Sequence, residues 1–371
     1  MKQLKVILSG GGTGGHIFPA VAIANEIKKL VPESDILFVG ALGKMEMEKV
    51  PLAGYKIIGV PIAGLQRKLT LANLKLPFLI IRSLLKTRKI IQEFQPDVVV
   101  GTGGYASGPV LRAANNKGIP VLIQEQNSYA GITNKVLSKK AKKICVAYEG
   151  MEKFFPKEKL LLTGNPVRQD INNVKQYRQE AIHFFKLDPD KKTILVIGGS
   201  QGARVINESI GSGLSVLAEQ NIQLIWQTGK GYYPVAQQQA EPFKNKNIYA
   251  LDFISRMDLA YATADIVISR AGASSVSELC NIGMPSILVP SPNVAEDHQT
   301  KNAMALVNRG AALLVKDSDA KVQLIHTALE LLNNKAQQVT LTNNISTMAF
   351  HNSANVIALE VLKLANYKVS G

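Results

Sequence analysis

The sequence predicts an α/β protein whose two domains have parallel sheets and face a common cleft, and three observations predict it. The chain has 371 residues, about twice the size of a typical domain. Buried-type strands alternate with helical patterns, an order typical of right-handed βαβ units in a parallel sheet. The pattern starts twice, each time with a strand that runs into a glycine-rich turn, at residues 10–15 and 198–203.

The first half contains the elements of one such domain. An apolar strand at residues 4–8 precedes the first glycine-rich turn, and a helical pattern follows from Ala20 to Leu30. Further strands are predicted at residues 35–39, 96–100, 119–123, 143–146 and 160–162. Because Gly164-Asn165-Pro166 is a strong turn signal after the last of these strands, we expect the first domain to span residues 1–164.

The second half repeats this arrangement. Its strands are predicted at residues 193–197, 222–227, 247–251, 265–269 and 287–290, and a helix runs on from Arg204. Residues 350–365 have the pattern of a final amphipathic helix. We therefore expect a second domain at residues 165–348 and a C-terminal helical segment at residues 349–371.

Composition indicates a chain that is soluble or bound to a membrane surface. Residues 6–25 have no acidic or basic side chain apart from His16, but five glycines and Pro19 interrupt them. A signal peptide or a spanning helix needs a continuous apolar helix instead. Cys145 and Cys280 share no metal-ligand or redox spacing, so we expect two buried free thiols.

The net charge of +15 is unevenly distributed. From Lys49 to Gln92 there are nine Lys and Arg residues and no Asp or Glu. Within this stretch, residues 65–92 interleave the bases with leucines and isoleucines, a pattern that resembles a surface for anionic lipids. An ordinary amphipathic helix with a solvated basic face is the alternative. Nucleic-acid binding is disfavoured, because only Phe78 and Tyr55 could stack on bases.

The first glycine-rich turn, residues 10–15, matches G-x-G-x-x-G between a strand and a helix. Such a turn lets a diphosphate approach the backbone at a helix N-terminus. A dinucleotide site also needs an acid at the end of the second strand, but that strand ends in Gly40 and the next acid is Glu46. The sequence therefore disfavours a Rossmann dehydrogenase, and it lacks the motif of a P-loop NTPase.

Three further positions are candidates for chemistry. His16 begins the first helix, where the helix dipole favours a neutral imidazole that could act as a base; capping or packing is the alternative. Ser200, in the second glycine-rich turn, could donate to a phosphate, unless the turn needs its glycines only for geometry. Glu278 could accept hydrogen bonds from a ribose diol, or could merely stabilise its helix.

No metal or other cofactor is expected. Asp297-His298 is too sparse a pair for a metal site. Two D-x-D patterns, at residues 188–190 and 317–319, occur at a strand start and at a helix start, so we interpret them as turn and cap residues.

Seven motifs, in order, resemble those of the MurG family of N-acetylglucosaminyltransferases, and the resemblance covers nearly the whole chain. They are residues 11–19 (GGTGGHIFP), 103–109 (GGYASGP), 125–127 (EQN), 164–168 (GNPVR), 198–203 (GGSQGA), 269–278 (SRAGASSVSE) and 297–299 (DHQ). Any one of these motifs could arise by chance, but all seven in order are specific.

The resemblance implies the GT-B fold, which has two Rossmann-like domains and a C-terminal helix that returns to the first domain. It implies inverting transfer of GlcNAc from UDP-GlcNAc to the 4-hydroxyl of MurNAc-pentapeptide on undecaprenyl diphosphate, giving a β(1→4) bond. The expected partners are these two substrates and the anionic inner-membrane surface, contacted through residues 65–92, with no nucleic acid. The expected location is peripheral, on the cytoplasmic face of that membrane.

The resemblance also implies roles for single residues. His16 and Glu125 are the candidate catalytic residues, and Tyr105 would lie on the acceptor side. The residues expected to contact UDP-GlcNAc are Thr13, Gly14 and Gly15 (sugar and diphosphate), Asn127 and Gln299 (GlcNAc), Arg168 and Ser200 (phosphate and nucleotide), Ile254 (uracil, through its backbone), Ala273, Ser274, Ser275, Val276 and Ser277 (diphosphate), and Glu278 (ribose).

One departure affects the mechanism. The family usually has histidine where this chain has Gln124, which shifts any proton transfer to His16 or Glu125. Two other functions remain open: a UDP-GlcNAc 2-epimerase of the same fold, which needs no acceptor, and a non-enzymatic basic nucleotide-binding protein.

Overall fold

Two parallel sheets organise the chain, one in each of two compact units. The computed structural model describes residues 3–62, 76–171, 173–199 and 201–368. The first unit comprises Met1–Val167 and Asn352–Gly371, and the second comprises Arg168–His351.

The sheet of the first unit has seven parallel strands in the order β3-β2-β1-β4-β5-β6-β7. The order reverses between β1 and β4, so the sheet is doubly wound. The strands are β1 (Lys5–Gly10), β2 (Asp35–Ala41), β3 (Lys56–Val60), β4 (Val98–Gly103), β5 (Val121–Glu125), β6 (Lys143–Val146) and β7 (Leu160–Leu162). The helices that precede the second unit are α1 (Gly14–Leu30), α2 (Glu46–Leu52), α3 (Leu76–Phe94), α4 (Ser107–Asn116) and α5 (Ile132–Ser138).

The second unit has a six-stranded parallel sheet in the order β10-β9-β8-β11-β12-β13. Its strands are β8 (Thr193–Ile197), β9 (Gln223–Gln227), β10 (Ile248–Leu251), β11 (Ile266–Ser269), β12 (Ser286–Leu288) and β13 (Leu313–Leu314). Its helices are α6 (Arg178–Phe185), α7 (Arg204–Ser212), α8 (Leu214–Glu219), α9 (Tyr233–Ala240), α10 (Met257–Thr263), α11 (Ala273–Ile282), α12 (His298–Val307), α13 (Ala320–Asn333) and α14 (Lys335–Ser346). Short 3-10 helices span Met151–Lys153, Lys157–Lys159, Gln169–Ile171, Val174–Tyr177, Glu241–Lys246 and Ala295–Asp297.

The last helix, α15 (Ser353–Leu364), belongs to the first unit. It packs beside α1 in the apolar layer that covers one face of the first sheet, which confirms the predicted return of the C-terminal helix. Asn355 donates a hydrogen bond from Nδ2 to Oε1 of Glu26 in α1 at 2.9 Å. Because successive residues of a strand point to opposite faces, Val6 and Leu8 join this layer, while Ile7 packs in the layer on the other face.

Helix α1 begins at Gly14, earlier than the predicted start at Ala20. Pro19 lies inside the helix and has no N–H with which to bond the Gly15 carbonyl, which is why the sequence pattern suggested a later start. The strand predicted at residues 287–290 ends at Leu288, before Pro290, which cannot donate to a sheet.

Cys145 and Cys280 are buried free thiols, as predicted. Burial raises the pKa of each thiol to about 12. No helix among the described residues combines the length and the apolar character needed to cross a bilayer. Of the basic-apolar segment, residues 76–92 lie in α3, and residues 65–75 lie outside the described residues.

Candidate functional site

Both glycine-rich turns follow the central strands of their sheets. In the first unit the turns after β1 and β4 lie where the strand order reverses, and in the second unit β8 and β11 occupy the same position. Ligands of doubly wound sheets bind at the carboxyl ends of strands at such points. Most of the predicted site residues are on these turns or on the helices that follow them.

In the first unit the two turns touch through their backbones. The Gly11 N–H donates to the Gly103 carbonyl at 3.3 Å. A Cβ added to Gly104, which has φ +84°, would lie 2.2 Å from the Gly11 carbonyl oxygen. Only glycine at position 104 permits this contact. The glycine pair at 103–104 is therefore needed for backbone packing as well as for the approach of a ligand.

His16 lies in the first turn of α1, where a hydrogen bond indicates which ring nitrogen carries a hydrogen. Its Nδ1 is 2.9 Å from the Gly11 carbonyl oxygen. A carbonyl can only accept, so Nδ1 carries the hydrogen and Nε2 keeps its lone pair. A Cβ added to Gly103 would lie 3.0 Å from Nε2, so glycine there leaves this nitrogen uncovered on that side. The arrangement suits a base that acts through Nε2.

Glu125, the second candidate for catalysis, is 2% exposed. Its Oε1 accepts from the backbone N–H and the side-chain Nδ2 of Asn127, at 3.1 and 3.2 Å. Its Oε2 accepts from the Gly131 N–H at 3.0 Å and from Asn134 Nδ2 at 2.8 Å. Since a carboxylate has about four acceptor positions, these four donors saturate it. The geometry therefore favours His16 over Glu125 as the base.

Gln124, where the motif resemblance implies a histidine, is completely buried. Its Nε2 donates to Asn165 Oδ1 at 2.8 Å, and its Oε1 accepts from Gln126 Nε2. Asn165 in turn donates from Nδ2 to the Gln126 carbonyl at 2.9 Å. In this chain position 124 belongs to a buried amide network that ties β5 to the segment after β7.

The remaining predicted residues of the first unit are more accessible. Thr13 is the exposed N-cap residue of α1, and Gly14 and Gly15 form the half-buried start of that helix. Tyr105, in the turn after β4, is 55% exposed. Asn127 is half-buried and is held by Glu125 through its amide nitrogen.

The second glycine-rich turn is also packed against backbone. A Cβ on Gly202, which has φ +76°, would lie 2.0 Å from the Thr228 carbonyl oxygen. The Gly202 N–H donates to the Gly199 carbonyl at 2.9 Å, which closes the turn before α7. Ser200 lies outside the described residues, so its expected contact with phosphate stays a prediction.

Glu278 in α11 joins two partners that come from other elements of the second unit. Its Oε1 accepts from Arg168 Nε at 3.0 Å, and its Oε2 accepts from the Tyr261 hydroxyl at 2.9 Å. Burial raises the pKa of the Glu278 carboxyl, although Arg168 and Tyr261 act in the opposite direction. Burial, together with the Glu278 charge, raises the pKa of Tyr261 well above its ordinary value.

The first turn of α11 presents small residues beside this carboxylate. Ala273, Ser274 and Ser275 are half-buried, and the helix begins after Gly272 in extended conformation. Val276 is buried and its N–H bonds the Gly272 carbonyl at 2.9 Å, while Ser277 is half-buried. The start of the helix can therefore offer hydroxyls and N–H groups to an anion.

Gln299 and Ile254 lie on two further elements of the second unit. Gln299, in α12, accepts the Ser291 N–H on Oε1 at 2.9 Å, which leaves its amide NH2 group as the donor for a ligand. Asp297, just before α12, has φ +53°, a conformation that is strained for a residue with a side chain. The Ile254 side chain is buried after β10, so any contact with a base there would use backbone atoms.

Both D-x-D patterns have structural partners. Asp317 pairs with Arg270 Nη1 in a largely buried contact. Asp188 accepts the Asp190 N–H at 3.0 Å in a turn. Among the described residues, no three His, Cys, Asp or Glu side chains are grouped so that they could hold a metal ion. That the reaction needs no metal stays a prediction.

Sequence reasoning missed two residues that support the site. Tyr261 is one, and its position in the apolar pattern of α10 gave no sign of a bond to Glu278. Glu46 is the other: the sequence indicates only that it lies too far along the chain for a dinucleotide site, yet its carboxylate accepts a hydrogen bond from the first glycine-rich turn.

Two family models match the chain in the order of its two sheets. The model of the glycosyltransferase family 28 N-terminal domain matches residues 6–146, and that of the family's C-terminal domain matches residues 193–357. The chain belongs to glycosyltransferase family 28. The fold of two Rossmann-like domains that the sequence predicted is the fold of this family, and it is confirmed.

Relatives within the family match over full length. A Flavobacterium psychrophilum protein is 58% identical over 371 residues, which is 100% of both chains. A Parabacteroides distasonis protein is 55% identical over 368 residues, 99% of this chain and 100% of its own. Both are named UDP-N-acetylglucosamine--N-acetylmuramyl-(pentapeptide) pyrophosphoryl-undecaprenol N-acetylglucosamine transferase.

Solved structures agree with this assignment. The crystal structure of Acinetobacter baumannii MurG has a TM-score of 0.78 and 28% identity, and the match covers 98% of this chain and 100% of that one. A UDP-N-acetylglucosamine 2-epimerase has a TM-score of 0.65 at 15% identity, covering 100% of this chain and 98% of that one. The second likeness shows a shared fold alone.

Proposed function

We propose that this glycosyltransferase transfers GlcNAc from UDP-GlcNAc to the 4-hydroxyl of MurNAc-pentapeptide on undecaprenyl diphosphate. The product is the β(1→4)-linked disaccharide on its lipid carrier, a precursor of peptidoglycan. The observation that carries the proposal is the 58% identity over the whole of both chains to a relative that bears this activity in its name. The geometry of His16 and Glu278 supports it.

The reaction is a single displacement with inversion. His16 Nε2 takes the proton of the acceptor hydroxyl while the hydroxyl oxygen bonds to the anomeric carbon of GlcNAc. The bond from that carbon to the diphosphate oxygen breaks, and UDP departs with the electron pair. The Nδ1–H bond to the Gly11 carbonyl holds the ring with Nε2 as acceptor. We assign Tyr105, which is exposed in the neighbouring turn, to the acceptor side.

The donor nucleotide binds mainly in the second unit. N–H groups and serine hydroxyls at the start of α11 receive the diphosphate, whose charge increases as UDP leaves. Glu278 accepts hydrogen bonds from the ribose diol, and Gln299 donates to the sugar. No divalent cation is required in this scheme, and activity should survive an excess of EDTA.

Helix α3 supports docking on the inner membrane. Phe78, Ile81 and Leu85 are 62%, 55% and 63% exposed and share one face at i, i+3 and i+7. Exposed bases, Arg82 and Lys86 among them, lie beside them. A cluster of exposed apolar residues among cations fits an anionic lipid surface. The protein is thus peripheral on the cytoplasmic face, where the lipid-linked acceptor would meet it.

A direct assay tests the proposed function. The purified chain is incubated with radiolabelled UDP-GlcNAc and a short-chain lipid-linked MurNAc-pentapeptide, and the products are separated and digested with a β-specific hexosaminidase. We expect a labelled disaccharide-lipid that forms only when both substrates are present. Conversion of UDP-GlcNAc without acceptor would support the epimerase instead, and no turnover with either substrate would contradict both enzymes.

A further inference from the structure

A buried carboxylate lies directly beneath the first glycine-rich turn. Glu46, at the start of α2, is 0% exposed. Its Oε2 accepts the Gly12 N–H at 2.9 Å, and its Oε1 accepts the Ala41 N–H at the end of β2, also at 2.9 Å. A Cβ on Gly11 would lie 2.1 Å from Oε1, so the carboxylate fills the space that this glycine leaves.

The Gly12 N–H and the Gly11 carbonyl are the two ends of one peptide group. Glu46 bonds the N–H end, and the carbonyl end accepts from His16 Nδ1 at 2.9 Å. Carboxylate, peptide and imidazole therefore form a continuous chain of hydrogen bonds. Such chains polarise one another: a negative charge at the N–H end increases the electron density on the carbonyl oxygen. The oxygen then holds the Nδ1–H more firmly and stabilises positive charge on the ring.

The same contact bears on what the first turn can bind. The Gly12 N–H is already used by Glu46, and a diphosphate beside it would be repelled by the carboxylate. The turn is better suited to neutral hydroxyls and to a histidine that becomes positive.

We propose that Glu46 is a positioning residue for His16 and acts through the Gly11–Gly12 peptide. The proposal rests on the proposed function, in which His16 Nε2 accepts the proton of the acceptor hydroxyl. Glu46 fixes the tautomer that leaves Nε2 free to accept and stabilises the imidazolium that forms. In serine proteases a carboxylate does this by direct contact with the histidine; here one peptide group lies between them.

The alternative is that Glu46 only holds the loop in shape, through Gly12 and Ala41. Glu46→Gln keeps the size of the side chain and removes its charge, but its NH2 group cannot accept, so one of the two bonds from Gly12 and Ala41 is lost as well. The split between kcat and KM, together with the double-mutant cycle below, therefore separates the two roles. We expect kcat to fall at least about tenfold and KM for UDP-GlcNAc to change less than about twofold, since the donor binds mainly in the other unit. A rise in KM with unchanged kcat would overturn the proposal.

A double-mutant cycle tests whether the effect passes through His16. With His16→Ala already present, Glu46→Gln should have no further effect on kcat, because the group it serves is gone. If the fold-losses in kcat of the two single variants multiply in the double variant, Glu46 acts independently of His16. An unchanged kcat in His16→Ala alone would show that His16 is not the base. A large loss of kcat in His16→Ala with no loss in Glu46→Gln would contradict only the role of Glu46.

Glu26→Gln is the matched control. Glu26 is another glutamate of the first unit, 5% exposed, and it bonds Asn355 in α15 instead of the turn. This variant should keep kcat while losing some thermal stability.

One measurement is made on the unaltered chain and does not depend on activity. The ¹⁵N NMR signals of His16, assigned by their absence in His16→Ala, should report the Nδ1–H tautomer in the neutral ring. The Nε2–H tautomer would contradict the chain of hydrogen bonds from which the proposal starts.

Discussion

At the scale of single residues, Glu278 is set up to accept a ligand. Each of its oxygens takes one hydrogen bond from the protein, from Arg168 and from Tyr261. A carboxylate oxygen has about two acceptor positions, so two positions remain, the number that a ribose diol would fill. Burial alone disfavours the charged form, and a ligand that donates two hydrogen bonds would favour it again.

This arrangement predicts that donor binding depends on pH. The pKa of Glu278 is raised in the free protein, and bonds from the diol would lower it, so binding is coupled to loss of a proton. Affinity for UDP-GlcNAc should therefore rise as the pH increases through the raised pKa of Glu278 in the free protein. Isothermal titration across this range measures it.

Glu278→Gln should flatten that pH dependence and weaken binding by about 10- to 100-fold, since hydrogen bonds to charged groups contribute about 1.5–3 kcal/mol. Glu330→Gln, on the exposed side of α13, is the control and should bind like the parent. Equal affinity at every pH in the parent chain would contradict the role of Glu278.

The sequence could identify Glu278 and His16, because each lies at a fixed offset from a glycine-rich or small-residue turn. It could not identify Glu46 as a partner of Gly12, since the two are 34 positions apart and only the pairing of β1 with β2 brings them together. The saturation of Glu125 by its own loop was equally hidden, because nothing in the letters EQN distinguishes a buried acceptor from a reactive one.

At the scale of elements, the apolar strands were predictable because a strand buried on both faces is an unbroken run of branched residues. The starts of helices were less predictable, because α1 begins at Gly14 and not at the predicted Ala20. The docking of α15 on α1 could be expected only through the family resemblance. Its apolar stripe indicates a buried face but does not say against which helix.

The packing of α15 on α1 should contribute measurably to the free energy of unfolding of the first unit. Ile357 of α15 is completely buried against the first unit, so Ile357→Ala should cost about 2–5 kcal/mol of that unit's stability. Val356→Ala, on the partly exposed side of the same helix, should cost much less. Thermal denaturation, combined with limited proteolysis to identify the unit that opens first, measures both. Equal losses in the two variants would mean that α15 does not dock as described.

At the scale of the whole molecule, the excess of positive charge predicts binding to anionic membranes. The chain should float with liposomes that contain anionic lipid and not with neutral ones. Phe78→Ser with Ile81→Ser and Leu85→Ser should abolish flotation. Arg82→Gln with Lys86→Gln should weaken it by about tenfold or more, at about 1 kcal/mol per basic residue. Val322→Ser, which removes an exposed valine of the second unit, is the control. Equal binding to anionic and neutral liposomes would contradict the proposed docking on anionic lipid.

The return of α15 also has a consequence for how the protein is made. Residues on both sides of the second unit belong to the first unit, so the second unit is an insertion within the first. During translation the apolar stripe of α1 emerges before the second unit, but α15, which covers it, emerges after the second unit. The inserted unit can therefore fold before α15 is available to complete the first unit. Incomplete chains that stop after the second unit would expose that stripe and become targets for chaperones and proteases.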